Sequence, residues 1–200
     1  VTQARWEKLM GFNPSKFSGV DLPVEQVNYE NVQKFIKNSG GNCRLPTEAE
    51  WELACRAGVR TRFAHGVDES LFGEYAWGGL NANKDIHIPK KSKPNYRGLF
   101  DMHGNLFEWT YDRRGTYPTK VLSDYKGAEQ GKMRVLRGGC WGVVTYLSRA
   151  SFRMGAVPYF GFIFMGIRPA MTLPLDESTT KISQNQATSN LRGNETRANH

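Results

Sequence analysis

The chain has 200 residues, which is enough for one domain with a tail but too short for two full domains. Apolar residues make up 39% of the chain and aromatic residues 12%, so it supports a packed core and is not wholly disordered. The net charge is +8, but the basic residues are scattered, so a nucleic-acid partner is not expected. No run of about 18 apolar residues occurs, so no membrane span is predicted.

Three segments in the first third of the chain carry helical signals. Residues 2–10 place their apolar side chains at helical spacing. A second helix is predicted over residues 29–38, with Asn28 as its N-cap. Thr47–Glu50 has the pattern of a capping box and begins a third helix, which we expect to stop at Gly58 in the left-handed conformation.

After the third helix the apolar stretches become short and are broken by Gly, Asn and Pro. Leu106–Tyr111 and Arg134–Leu136 are strand-like, as are several pieces between Trp141 and Ile167. The pattern predicts an α+β domain with two or three short helices, short antiparallel strands and much ordered loop.

The composition changes once along the chain, near Leu173. Beyond this point the residues are mostly polar and none is aromatic. Such a segment cannot bury enough apolar surface to offset the entropy of ordering it. We therefore expect a folded domain over residues 1–170 and a disordered polar tail over residues 171–200.

The cysteines and histidines form no common metal motif. Cys43, Cys55 and Cys140 are odd in number and have no C-x-x-C spacing, which leaves either one disulfide with a free thiol or three reduced thiols. The four histidines form no H-x-x-x-H or H-E-x-x-H pattern. Neither a zinc site nor a histidine-rich metal centre is therefore expected.

Several charged and aromatic residues resemble an active site but have a structural interpretation. The first group is expected to tie a helix start to its neighbours through Arg–carboxylate pairs and consists of Arg44, Glu48, Glu50 and Trp51. The second group is expected to anchor the core and consists of Trp77, Trp109 and Trp141. Asp112 follows Glu108 by four residues, but nothing near it in sequence suggests a substrate pocket, so no acid–base pair is assigned.

Four longer motifs occur in order along the chain: LPVEQV at 22–27, RLPTEAEWE at 44–52, GLFDMHGNLFEW at 98–109 and RVLRGG at 134–139. This set resembles the formylglycine-generating-enzyme-like, or sulfatase-modifying factor, family. The resemblance covers about residues 1–170 and implies a variant of the C-type-lectin-like fold. Members usually carry some tens of residues before the equivalent of Val1, so the resemblance implies that the N-terminal part of the domain is missing.

The resemblance also implies one metal site. Some members bind calcium through a D-x-x-G-N-x-x-E stretch, which falls here on Asp101, Gly104, Leu106 and Glu108. Two carboxylates with backbone oxygens between them suit a hard cation. The alternative is a turn in which both carboxylates accept hydrogen bonds from backbone amides. No cofactor is required by this interpretation, and calcium is the one candidate.

The catalytic residues of the family's enzymes are not matched. The resemblance to the formylglycine-generating oxidases implies two copper-binding cysteines, but these positions hold Val143 and Ser148. Neither side chain offers a thiolate, and Cys140 alone does not replace the pair. The ergothioneine-type relatives need a histidine-rich iron site from an accompanying helical domain, and this sequence contains no such site. We therefore expect a non-catalytic protein, with an oxidoreductase or degenerate enzyme of this family as the alternative.

The segment 142–164 has an unusual composition, because it contains no Lys, Asp, Glu or Gln. Between the framework residues its amino acids can be reached from the Asn codon AAC by changing adenines, and only Met154 departs from this pattern. The segment thus resembles the variable region of proteins diversified by retroelements. The positions expected to form a hypervariable ligand-binding surface are Gly142, Val143, Val144, Tyr146, Leu147, Phe152, Gly155, Ala156, Val157, Tyr159, Phe160, Phe162, Ile163 and Phe164.

A second interpretation of the segment is that its apolar residues form core. Consecutive apolar residues argue against this, because a half-buried strand alternates buried and exposed side chains. Exposed apolar clusters usually mark a binding surface. The resemblance then implies a receptor-binding or surface-display protein of a phage or bacterium, located on a cell surface, outside the cell or on a virion. Its partner would be a protein or glycan with an apolar surface.

Overall fold

A computed structural model describes residues 1–41 and 43–173 of the chain. One compact unit spans Val1–Ala170, and the second unit, Met171–His200, is described only as far as residue 173. The tail predicted at 171–200 therefore lies almost entirely outside the described residues. None of the helices described is long and apolar enough to cross a membrane.

The α-helices are short and lie mainly in the first half of the chain. Their bounds are α1 (Gln3–Met10), α2 (Tyr29–Asn38), α3 (Glu48–Arg56) and α4 (Phe72–Tyr75). The first three match the predicted helices. The fourth continues the 3₁₀ turn Glu69–Leu71 and was not predicted, because four residues are too few to show a helical repeat.

Local capping explains where the predicted helices begin. The Asn28 side chain accepts a hydrogen bond from the backbone N–H of Asn31 at 2.8 Å. At α3 the Thr47 hydroxyl accepts from the Glu50 N–H, while the Glu50 carboxylate accepts from the Thr47 N–H, so the predicted capping box is confirmed. The end of α3 differs slightly from the prediction, because Ala57, with φ of 50°, takes the left-handed position before Gly58 does.

A mixed four-stranded sheet organises the second half of the chain. Its strands are β2 (Phe107–Arg113), β3 (Arg134–Arg137), β4 (Met154–Ala156) and β5 (Met165–Gly166), in the order β4-β3-β2-β5. The β2–β3 and β3–β4 pairs are antiparallel, as predicted, but β5 runs parallel to β2. A separate two-stranded sheet contains β1 (Cys43–Arg44) and β6 (Ala170–Met171).

The main core lies between α1, α2 and the four-stranded sheet. Trp6 stacks on Phe35 with ring centroids 5.0 Å apart, and Trp109 is fully buried. Trp77 and Trp141 are only partly buried, so the prediction of core anchors holds fully for Trp109 alone. These short helices, curled strands and long ordered loops confirm the α+β class.

Candidate functional site

A buried ionic network holds the start of α3 against the sheet. The Glu48 carboxylate accepts hydrogen bonds from Arg137 Nη1 at 3.1 Å and from Arg153 Nε at 2.8 Å. On the exposed side of the helix, Arg44 forms a two-pronged pair with Glu50 at 2.6 and 2.8 Å. The structure thus contains the Arg–carboxylate pairs that were expected at this helix start.

The same network reaches the segment 142–164. Arg137 Nη2 donates to the carbonyl of Ala150 at 2.7 Å, and Arg137 Nη1 donates to the carbonyl of Ser151 at 3.3 Å. The carbonyl of Ser148 lies 2.8 Å from Nδ1 of the buried His103. Residues 148–151 of the segment are therefore held by buried polar side chains.

Further along, main-chain carbonyls of the segment accept hydrogen bonds from the rest of the domain. The backbone N–H of Tyr29 donates to Pro158 at 2.9 Å, and that of Gln26 donates to Phe162 at 3.0 Å. Two other donors reach the next two carbonyls: Trp141 Nε1 donates to Ile163 at 3.2 Å, and Phe107 N donates to Phe164 at 2.8 Å. Backbone atoms of the segment thus hold this part of its path, in addition to the side chains that pack against the core.

The structure divides the predicted surface residues into three groups. Five large apolar side chains are between 42% and 64% exposed: Val144, Tyr146, Tyr159, Phe160 and Phe162. Three are partly buried against the main core: Val143, Phe152 and Phe164. The others are the exposed Gly142, the partly buried Leu147, Gly155, Val157 and Ile163, and Ala156, which is buried in β4.

Four aromatic rings of this segment form a continuous row, which we call the aromatic row (Tyr159, Phe160, Phe162 and Phe164). Neighbouring ring centroids along it are 5.0, 5.5 and 5.3 Å apart. Phe164 also contacts the buried ring of Phe107 at 6.3 Å. The row therefore extends from the core outward to exposed rings.

The same segment contains a cation–π contact, which was not predicted from the sequence. The Arg149 guanidinium lies 4.0 Å from the ring centroid of Tyr146 and 5.2 Å from that of Phe152. Phe152 contacts Phe107 at 6.2 Å, so the buried ring of Phe107 links both aromatic groups. The three-residue spacing of Tyr146 and Arg149 was the available signal, since the 3₁₀ turn Thr145–Ser148 ends at Arg149 and brings residues three apart together.

Three glycines of the segment differ in the space around them. A Cβ at Gly142 would meet only the Cys140 sulfur, at 4.0 Å, and one at Gly155 would meet the flexible side chain of Arg114. A Cβ at Gly161 would lie 2.3 Å from the Gln26 carbonyl oxygen and 2.7 Å from its carbon. Gly161 is therefore required where the segment crosses the backbone of residue 26.

The carboxylates of the candidate calcium site have protein donors. Asp101 accepts from the Lys90 N–H at 3.0 Å and the Ser92 hydroxyl at 2.9 Å. Glu108 accepts from Trp51 Nε1 at 2.7 Å and from the Arg168 guanidinium.

Both carboxylates line a cavity of about 570 Å³, but the positive charge of Arg168 opposes a cation at Glu108. Leu106 is buried, and a Cβ at Gly104 would lie 2.1 Å from the Trp77 carbonyl oxygen, so this glycine has a packing role. Protein donors thus satisfy both carboxylates, which favours the alternative to the calcium site, although the donors to Glu108 are side chains rather than the backbone amides expected.

The positions of the copper cysteines do not fit a copper site. Val143 is partly buried against the core, and Ser148 is fully buried beside Gly139. Cys140 is a free, buried thiol, and burial raises its pKa to about 11. The described part of the chain contains no group of three His, Cys, Asp or Glu side chains that could hold a metal ion. We therefore assign no metal chemistry to these residues.

Asp112 lies in a setting that the sequence did not suggest. It is buried at the end of β2, its Oδ2 accepts from the Glu48 N–H at 2.6 Å, and burial raises its pKa to about 6. It also lines a cavity of about 520 Å³. The sequence near Asp112 gave no sign of this cavity, because it is built from residues far apart in sequence.

Comparisons with known proteins place the chain in a family. The profile of the sulfatase-modifying factor enzyme 1-like domain matches residues 1–173. Hercynine oxygenase of Mycobacterium tuberculosis is 34% identical over 158 residues, covering 75% of this chain and 37% of that protein. The inactive C-alpha-formylglycine-generating enzyme 2 of Bos taurus is 30% identical over 186 residues, covering 85% of this chain and 57% of that protein.

Both curated relatives are longer than the matched region, since the chain spans only 37% and 57% of their lengths. Among solved structures, Treponema denticola variable protein 1 is similar with a TM-score of 0.80 and 30% identity, covering 86% of this chain and 81% of that chain. The profile match covers the whole region that the structure describes. The chain therefore belongs to the sulfatase-modifying factor family.

Proposed function

We propose that this protein is a non-catalytic ligand-binding protein whose segment 142–164 is a hypervariable binding surface diversified by a retroelement. The observation that carries the proposal is the exposure of Val144, Tyr146 and most of the aromatic row on one chain segment. Large apolar side chains exposed close together usually mark an interaction surface. Tyr and Phe suit this role because they offer a large contact area for little loss of rotamer entropy.

The backbone of the segment supports the same role. Its carbonyls accept hydrogen bonds from Gln26, Tyr29, Phe107 and Trp141, and these bonds do not depend on which side chains the segment carries. A surface of this kind can exchange its side chains while its path stays fixed. We therefore propose that ligand specificity lies in the side chains and stability lies in the backbone contacts and the Phe107 support.

Two of the similar proteins favour this proposal over an enzyme. One is the variable protein of Treponema denticola, and the other is the inactive bovine relative. Hercynine oxygenase is an enzyme, so an oxidoreductase remains the second candidate. Val143 and Ser148, where the oxidases of the resemblance would carry thiolates, speak against it.

The nucleotide sequence tests the diversification directly. The gene should be sequenced from many isolates of one strain, together with its flanking DNA. We expect differences to concentrate at adenine positions of codons 142–164, with a near-repeat and a reverse transcriptase gene downstream, while codons 1–141 stay constant. Differences spread evenly over the gene would overturn the retroelement proposal.

Binding is tested on an array of surface proteins and glycans, since we propose a protein or glycan partner at a cell surface, outside the cell or on a virion. The triple variant Tyr159→Ala, Phe160→Ala, Phe162→Ala should lose the ligands that the unmodified protein retains. Leu80→Ala is the matched control, because Leu80 is an apolar residue 88% exposed outside the segment. Equal binding by the triple variant and the control would contradict the proposed surface.

A further inference from the structure

We propose that the cavity beside Asp112 is a second binding site, which takes a small organic ammonium ion. The cavity has a volume of about 520 Å³ and lies where the first turns of α3 meet the end of β2. Glu48 and Glu52 line it from α3, Asp112 lines it from β2, and Tyr117 and Tyr125 line it from the loop that follows. This proposal does not depend on the ligand-binding role of segment 142–164.

The first reason is an unsatisfied acceptor on Asp112. The residue is 1% exposed, and its Oδ2 accepts from the Glu48 N–H. Its Oδ1 is buried and finds no hydrogen-bond partner within residues 1–41 and 43–173. A buried carboxylate oxygen without a donor costs free energy, and most such atoms in proteins are satisfied. Asp112 lines the cavity, so an N–H donor there would supply the missing bond once the carboxylate turns toward it.

The second reason is the charge of the lining. Among the described residues, the cavity lining has three carboxylates and no Lys, Arg or His, although the whole chain carries a net charge of +8. Glu48 is already paired with Arg137 and Arg153, and Glu52 is paired with Arg56 and Arg137.

Of the three carboxylates in the lining, Asp112 is therefore the one that forms no direct ion pair within the described residues. Burial raises the pKa of its carboxyl to about 6, so the group is mostly ionised at pH 7.4. A cation would stabilise this form.

The third reason is the chemistry of the walls. Tyr117 and Tyr125 give the cavity two aromatic side chains, and ring faces attract organic cations. Tyr117 already has the Arg153 guanidinium 4.2 Å from its ring centroid. No three acidic, His or Cys side chains converge in the described residues as metal ligands, so an organic cation fits better than a metal ion. The volume exceeds what an alkylammonium group of a few carbons needs.

The test is a titration of the whole chain with n-butylammonium at pH 7.4, followed by NMR of backbone amides. We expect saturable shifts at Ala49, Glu52 and Leu53. Binding should be weaker for n-butanol, which carries no charge, and for tetramethylammonium, which cannot donate a hydrogen bond. Asp112→Asn should lower the affinity for n-butylammonium by about tenfold or more, because it removes a charged acceptor. Asp124→Asn is the control, since Asp124 lines a neighbouring cavity and not this one.

A second variant covers the case in which Asp112→Asn does not fold. Ser151 lines the cavity from an exposed position, so Ser151→Phe should fill the cavity and abolish the saturable shifts while the fold is kept. Shifts that do not saturate, or that n-butanol reproduces equally, would overturn the proposal. So would an unchanged affinity in a folded Asp112→Asn or Ser151→Phe protein.

Discussion

Arg137 and Glu48 form an ion pair whose side chains are both buried, with Nη1 and Oε1 3.1 Å apart. Because Arg137 also donates to the carbonyls of Ala150 and Ser151, a single guanidinium joins β3, α3 and the segment 142–164. The Arg137 guanidinium also lies 5.4 Å from the ring centroid of Trp51, which forms a smaller buried cluster with Cys55, Met102 and Ala150.

Removing one partner of this network should destabilise the fold strongly. Glu48→Ala leaves the largely buried Arg153 without a carboxylate and Arg137 with Glu52 alone, and breaking a buried ion pair costs about 3–5 kcal/mol. Urea unfolding measures the loss. The control is Glu74→Ala, whose exposed pair with Lys93 should contribute about 1 kcal/mol or less. Similar losses in the two variants would contradict the role given to Glu48.

The exposed part of the aromatic row should contribute little to stability. We expect Tyr159→Ala and Phe160→Ala to change the unfolding free energy by less than about 1 kcal/mol, because both side chains are exposed. Phe107→Ala should cost about 3–5 kcal/mol, because that ring is buried beneath both aromatic groups. Thermal melting of the three variants checks this. Unfolding of the Tyr159 and Phe160 variants would identify these residues as core.

His103 should make the fold sensitive to acid. Burial lowers its pKa to about 4, while the Ala64 N–H donates to its Nε2 at 2.9 Å. Between pH 6.5 and about 4 the unfolded chain binds a proton at this residue that the folded chain does not bind. The stability it contributes is therefore present above pH 6.5 and is lost as the pH falls toward 4. Unfolding free energies measured across this range should fall less steeply in His103→Gln, and equal slopes would contradict the assignment.

Chelation should leave the melting temperature unchanged. The Glu108 carboxylate already binds Trp51 and Arg168, and Asp101 already accepts two hydrogen bonds. A ligand that binds only the folded state raises its stability, so loss of a bound calcium ion would lower the melting temperature. Melting curves with chelator and with added calcium distinguish the two outcomes. A decrease that calcium reverses would establish the ion site.

The protein should neither bind Cu(I) tightly nor oxidise a cysteine-containing peptide in air. The reason is that Val143 and Ser148 offer no thiolate and Cys140 is a buried thiol with a raised pKa. Copper titration and a peptide oxidation assay provide the measurement. Stoichiometric Cu(I) binding together with turnover would establish the enzyme instead.

The features predicted correctly from the sequence depend on neighbouring residues. The caps at Asn28 and Thr47 are local, so the helices that they begin could be predicted closely. The parallel pairing of β5 with β2 could not be predicted in this way, since it depends on where the loop over residues 157–164 brings the chain back to the sheet. The cavity beside Asp112 was missed for a related reason, because its walls come from residues 48 to 151 and meet only in the folded chain.

The close approach of Gly161 to Gln26 bears on how the gene could encode a changeable surface. Any side chain at position 161 would collide with a main-chain carbonyl, so a diversifying process that altered codon 161 would produce mostly variants that do not fold. Glycine codons such as GGC contain no adenine. A mutagenic copying step directed at adenines would therefore pass over such a codon while rewriting those on either side. Gly161 would then be kept both by the lack of space for a side chain and by its adenine-free codon, while the neighbouring codons could still change.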